Sequence, residues 1–195
     1  MNKKEINIIV AMKSEAKPLI NYWKLKKINS SNNIFINKKK NINLIISGIG
    51  KRKVKEATNI LGKNNSNQFF LNIGVAGHRD LKLGEIILAS KVTDNKTNYN
   101  WYPSLLWETK IKKSSLVTVR FPKIIYKKNT AYDMEASSFL KAARDFVGPE
   151  KVQVIKIISD NKDSSILKIS SKKIEYWIKK KIVIINKLVN EFLKF

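Results

Sequence analysis

Three apolar runs, each leading to a carboxylate, restrict this chain to a fold built around a β-sheet. Ile6-Asn7-Ile8-Ile9-Val10-Ala11-Met12 leads to Glu15, Ala131-Tyr132-Asp133-Met134 leads to Glu135, and Val152-Gln153-Val154-Ile155-Lys156-Ile157-Ile158-Ser159 leads to Asp160. Short runs of this kind read as buried strands. Between them the periodicity changes. Ser14 to Lys26 reads as a helix, with Ala16, Leu19, Ile20 and Trp23 on one face and Ser14 as its cap. Asn33 to Asn37 and Asn41 to Ile46 are two short runs separated by lysines, the pattern of a hairpin. Arg52 to Leu61 reads as a helix stopped by Gly62, and Met134 to Phe146 as another. Gln68 to Ile73, Glu85 to Val92, Ser115 to Phe121 and Lys151 to Ser159 read as strands. The tail from Ser170 to Phe195 sets Ile174, Trp177, Ile178, Ile182, Ile185, Leu188, Val189 and Phe192 on one helical face, a core stripe. This alternation predicts an α/β architecture, a central mixed β-sheet flanked by helices, with residues 1–195 forming one domain.

Carboxylates at the ends of strands in such a sheet stand where small ligands bind. Taken singly, each of the three is better explained as a cap on the following helix than as a catalytic group. Taken together, they offer a separated acid, base and charge stabiliser.

Composition narrows the function. With no cysteine there are no disulfides, thiolate nucleophiles or cysteine metal ligands, and the chain fits a reducing cytoplasm. One histidine and no cysteine argue against a metal site. The apolar stretch from Ile6 to Met12 is too short for a signal-peptide core, and no run has the length of a membrane span. The formal net charge of +24 invites a nucleic-acid reading. Against it, only Arg52, Arg79, Arg120 and Arg144 are arginines, and the lysines that make up the remaining cations are dispersed. Base readout and bidentate phosphate contacts favour arginine, so a solvated basic surface with weak, salt-sensitive attraction to polyanions is expected, without specific nucleic-acid binding.

Four segments in register resemble the purine nucleoside phosphorylase superfamily, in particular its methylthioadenosine and adenosylhomocysteine nucleosidases. They are Met12-Lys13-Ser14-Glu15, Asn72-Ile73-Gly74-Val75-Ala76-Gly77, Asp133-Met134-Glu135-Ala136 and Ile158-Ser159-Asp160. Ser47-Gly48-Ile49-Gly50-Lys51 resembles a further family turn between a strand and a helix. The resemblance implies a nucleoside phosphorylase-like fold and cleavage of the N-glycosidic bond of a purine nucleoside or thionucleoside. It implies Asp160 as the acid that protonates the leaving base, Glu135 as the carboxylate gripping the ribose hydroxyls beside Met134, and Glu15 as the base that activates water. Gly74, Val75, Ala76 and Ser159 fall at substrate-binding positions, and Phe121 is placed as an aromatic surface under the base. No metal or cofactor is implied, phosphate entering only as co-substrate of a phosphorylase, and a homodimer is expected because relatives often form one.

Alternatives stay open at this level. Hydrolysis follows if Glu15 holds the water, whereas Lys13, Lys17 and Lys51 offer charge for a phosphate and thus for phosphorolysis. A relative that binds a nucleoside or a polyanion without catalysis is the third reading. Val75 stands where nucleosidases commonly have serine, and Lys156 where they have arginine, both near the expected water. The stretch from Asp94 to Asp133 is shorter than is usual in the family and lacks its helix. Within it, Asn98-Tyr99-Asn100-Trp101-Tyr102-Pro103 and Trp107 either cover a ligand or pack against the surface or a second subunit. His78 either serves a sugar hydroxyl or is a loop residue.

Overall fold

The structure is a computed structural model that describes residues 4–28, 33–62, 67–105, 109–126 and 128–194. Its elements are β1 (Glu5–Val10), α1 (Lys13–Trp23), β2 (Lys26–Lys27), β3 (Ile34–Asn37), β4 (Ile42–Ile46), α2 (Lys51–Leu61), β5 (Gln68–His78), β6 (Ile86–Asp94), β7 (Asn100–Trp101), β8 (Lys112–Thr118), β9 (Ala131–Asp133), α3 (Ala136–Ala143), β10 (Val152–Asp160) and α4 (Ser171–Phe192).

All ten strands belong to one mixed sheet. β1 lies between β4 and β5, parallel to both, and β5 is also parallel to β10. β10 pairs antiparallel with β6, β6 parallel with β8, β8 parallel with β9, and β9 antiparallel with the last residues of β5. These pairings return to β5, so five strands close a ring from which β1, β4, β3 and β2 extend as an open wing.

Alternation of side chains along the strands explains the layers. Ile6, Ile8 and Val10 of β1 face a core shared with Leu19 and Trp23 of α1 and Ile178, Ile185 and Phe192 of α4. Ile9 faces the opposite core, with Val54 and Leu61 of α2 and Phe139 and Leu140 of α3. The α4 stripe is as the sequence predicts, with Trp177 and Ile182 packed at its margin. The Phe192 ring meets Phe69 edge-on at 5.2 Å, and the Trp23 indole donates to Asn186 Oδ1 at 2.8 Å, tying α1 to α4. Each fully buried aliphatic or aromatic side chain in these layers stabilises the fold by about 1.5–3 kcal/mol.

Several boundaries differ from the sequence expectation, among them β8, which spans Lys112–Thr118 where Ser115 to Phe121 is expected. Helix α1 stops at Trp23 because Lys24 takes a left-handed backbone (φ 52°), and the chain enters β2 instead of continuing to Lys26. Its N-cap is Met12, with Ser14 inside the first turn. Gly74 and Gly77 lie within the strand β5, not in a turn after it. Helix α3 ends at Ala143, and Phe146 turns back to stack on Phe70 at 6.0 Å.

Candidate functional site

The ends of β1, β5, β9 and β10 surround a cavity of about 310 Å³. Glu15, Glu135 and Asp160 all line it, with Val75, Ala76, Met134 and Ser159. β1, β5 and β10 are parallel and end together, and β9 pairs antiparallel with the last residues of β5, which brings these positions to one place although up to 145 residues separate them in the chain.

Glu15 is 2 % exposed and is held by three backbone amides. Ala11 and Met12 N–H groups donate to Oε2, both at 2.9 Å, and the Val75 N–H donates to Oε1 at 3.0 Å. The carboxylate therefore caps its own helix and fixes β5 at once. Burial pushes its pKa up, against the Lys156 charge and the amides. A Cβ on Gly74 would stand 2.9 Å from Glu15 Oε1 and 3.3 Å from Lys156 Nζ, so only glycine lets this carboxylate approach β5. The backbone of Val75, and not its side chain, supplies this contact.

Asp133 and Lys156 form a buried ion pair at 2.9 Å, their side chains 0 % and 2 % exposed. Asp133 Oδ2 also accepts from the Ala136 N–H at 2.8 Å, and Oδ1 from the Thr118 hydroxyl at 2.8 Å, so it anchors α3 to β8 and β10. Burial disfavours the Lys156 charge, but Asp133, Glu135 and Glu15 outweigh it and raise the ammonium's pKa. Lys156 does not line the cavity, and the charges of Asp133, Glu135 and Glu15 all act on it. The Gly50 N–H donates to Glu135 Oε1 at 2.7 Å. Burial first, and then the Asp133 charge, push Glu135 up to about 7.

Asp160 is gripped by two hydroxyls. Ser159 donates to Oδ1, and Tyr126 donates to Oδ2. Burial raises the pKa of Asp160, and the two hydroxyls act in the other direction. Burial and the Asp160 charge raise that of Tyr126. A Cβ on Gly77 would stand 2.5 Å from Asp160 Oδ2, so the second glycine of β5 is required by this approach as Gly74 is by Glu15. Tyr126 lines the cavity, and the sequence reading did not single it out. It sits in the irregular segment between β8 and β9, whose Val119, Pro122 and Lys123 also line the cavity.

Other expected residues lie elsewhere. Phe121 does not line the cavity; its ring is 68 % exposed, and Tyr126 and Tyr132 are the aromatic groups there. His78 is buried and accepts from the Asp80 and Leu81 N–H groups through Nδ1, and burial lowers its pKa, so it organises the turn after β5. Lys13, Lys17 and Lys51 line no part of the cavity; Lys17 pairs with Glu175 at 2.8 Å and Lys51 with Asp94 at 2.6 Å. Burial works to raise Asp94, but donors from Lys51, Ser137 and two backbone amides outweigh it and hold this carboxyl at about 2. In the aromatic stretch, Asn100–Trp101 forms β7 against β6, and no residue from Asn98 to Pro103 reaches the cavity. Trp107 lies outside the described residues. Among the described residues no cluster of three or more His, Asp or Glu side chains is placed to hold a metal ion.

The fold has solved counterparts. The methylthioadenosine/adenosylhomocysteine nucleosidase of Campylobacter jejuni superposes with a TM-score of 0.76 at 17 % identity, covering 96 % of this chain and 99 % of that one. The Arabidopsis thaliana methylthioadenosine nucleosidase gives 0.80 at 16 % identity, covering 98 % and 97 %. A futalosine hydrolase mutant of Helicobacter pylori gives 0.76 at 18 % identity, covering 96 % and 99 %. No protein-family model matches the sequence, and no curated protein matches it. The chain has the fold of these nucleosidases.

Proposed function

We propose that this chain is an N-ribosyl hydrolase that cleaves the N-glycosidic bond of a purine nucleoside or thionucleoside. The observation that carries the reading is the convergence of Glu15, Glu135 and Asp160 on one cavity at the strand ends. Asp160, with its pKa raised by burial, is suited to hold a proton for the leaving base. A base nitrogen takes the place of the Tyr126 hydroxyl at Oδ2 when substrate binds. Glu135 accepts from the ribose hydroxyls and stabilises the positive charge that develops on the sugar.

Water attacks the anomeric carbon, and the bond from that carbon to the base breaks with its electron pair leaving on the base. The base receives the Asp160 proton, and Glu15 receives a proton from the water. Exchange with solvent restores both carboxyls, and the products are free base and free sugar. None of Lys13, Lys17 and Lys51, the lysines expected to hold phosphate, lines the cavity, which supports water over phosphate as the nucleophile. The same proposal places the activity in one domain over residues 1–195, in a cytoplasmic homodimer without a cofactor. Among the described residues no helix is long and apolar enough to cross a membrane.

The test is a panel of purine nucleosides incubated in oxygen-labelled water with and without phosphate. Release of base at the same rate in both, with label at the anomeric oxygen, is expected; a sugar 1-phosphate product rejects hydrolysis. Asp160→Asn keeps the shape and loses the proton, so turnover should fall by at least about 100-fold. Unchanged turnover removes Asp160 from the acid role.

A further inference from the structure

A second cavity, of about 710 Å³, opens beside the first and shares Ile49, Val119 and Met134 with it. Asp160, Tyr126 and Ser159 line only the first. The second therefore adjoins the Met134 side of the site, away from the carboxylate assigned to the base. Its wall carries Lys51, Arg52, Lys53, Lys96 and Arg120 and no acidic residue.

Cations line other hollows of so basic a chain, and three properties distinguish this one. It holds two of the four arginines, whereas the cavity beside Lys24, Lys26, Lys27, Lys38 and Lys39 holds none and shares no residue with the site. Arginine offers a planar fork of donors matched to phosphate and carboxylate. Its charge is also little neutralised. Lys51 is matched by Asp94, and Arg52 meets Glu56 only at 3.9 Å with both side chains exposed. Among the described residues Lys53, Lys96 and Arg120 form no ion pair within 4.0 Å. Finally, the Arg120 guanidinium lies 5.1 Å over the Phe121 ring. A ring contact engages the flat face of the guanidinium and leaves its N–H edge to donate, which gives the exposed Phe121 a purpose as the support of Arg120.

We infer that this cavity receives an anionic group, phosphate or carboxylate, carried on the ribose of the substrate. The inference rests on the nucleosidase reading for the placement of base and sugar. It narrows the substrate class to nucleosides with a negatively charged sugar substituent.

The experiment compares adenosine 5′-monophosphate and the 5′-carboxylate analogue with adenosine, using the full chain at low salt. At least one anionic nucleoside should have a kcat/KM about ten-fold or more above adenosine, and which one identifies the anion. Arg120→Gln and Lys53→Gln should each lower that ratio by about ten-fold, the worth of one charge-assisted hydrogen bond, and salt should lower it in the native chain. Equal kcat/KM for charged and neutral nucleosides overturns the inference. So does acceleration of adenosine cleavage by inorganic phosphate with a phosphorylated sugar product, since the cavity then serves free phosphate. If no nucleoside is cleaved, the catalytic reading fails by itself, and equilibrium binding of the same ligands decides the cavity. Tighter binding of an anionic nucleoside that is lost in Arg120→Gln supports it, and equal binding overturns it.

Discussion

Replacing Glu135 by Gln should make the protein more stable at alkaline pH while it removes activity. Glu135 is buried beside Asp133, and its pKa lies at about 7 against an ordinary 4.5. An acid whose folded pKa is raised costs nothing while both states are protonated. It destabilises the fold progressively as pH rises from the unfolded value to the folded one. The difference of about 2.5 units corresponds to about 3 kcal/mol, fully expressed above pH 7 and absent below about pH 4.5. Glutamine keeps an acceptor for the Gly50 N–H, now 2.7 Å from Oε1, and has no charge to bury. Against a total stability of roughly 5–15 kcal/mol this is a large effect. Urea unfolding of both proteins at pH 5 and pH 8 measures it. The gain of Glu135→Gln over the native chain should be greater at pH 8 by about 2–3 kcal/mol, with turnover of nucleosides reduced. A gain that does not change between the two pH values refutes the assignment of a raised pKa to this carboxyl.

Two further outcomes follow from the same cluster. Tyr126→Phe removes a donor to Asp160 Oδ2, so the competition for that oxygen ends and KM should fall about ten-fold, within the range of a hydrogen bond to a charged group. Since that donor lowers the Asp160 pKa, the loss of kcat/KM on raising pH through it should move to higher pH, and an unmoved profile with unchanged KM refutes the contact. Lys156→Met leaves Asp133, Glu135 and Glu15 without their shared cation and should cost about 3–5 kcal/mol in chemical denaturation. Lys156→Arg, which keeps the charge, should cost clearly less, and equal losses for the two would show that packing and not charge is at stake.

Sequence patterns reached the parts of this molecule where burial dictates residue type. The runs around Ile8 and Ile155 were legible as continuous apolar stretches because β1 and β10 are buried on both faces, and the α4 stripe because one buried helix face imposes a 3.6-residue repeat. The three carboxylates were legible because strand ends mark where an α/β sheet meets a ligand, and the cavity joins them. Tyr126 was not, because the segment between β8 and β9 has no repeat and its Phe121, Ile124, Ile125 and Tyr126 look alike in sequence; only the fold exposes the first three and turns the fourth inward. Lys156 read as a replacement for a water-placing arginine, whereas its position on β10 opposite Gly74 aims it at Asp133. The glycines of β5 read as a turn because glycine usually breaks strands. Here the missing side chains admit Glu15 and Asp160 while the backbone continues its ladder with β10.

The return of the sheet onto β5 bears on how this chain behaves in a crowded solution. An open sheet presents unpaired backbone donors and acceptors on both sides, each a template for a strand of another molecule. Here β10, β6, β8 and β9 pair round to β5, so the long apolar strands have neighbours on either flank. Among the described residues the main open flank is left to β2, two residues long, and both are exposed lysines. Like charges opposed across such a flank repel, so growth of one sheet from another is blocked where it would begin. The positive charge carried by this chain thus acts at that margin as a barrier to self-assembly into fibres.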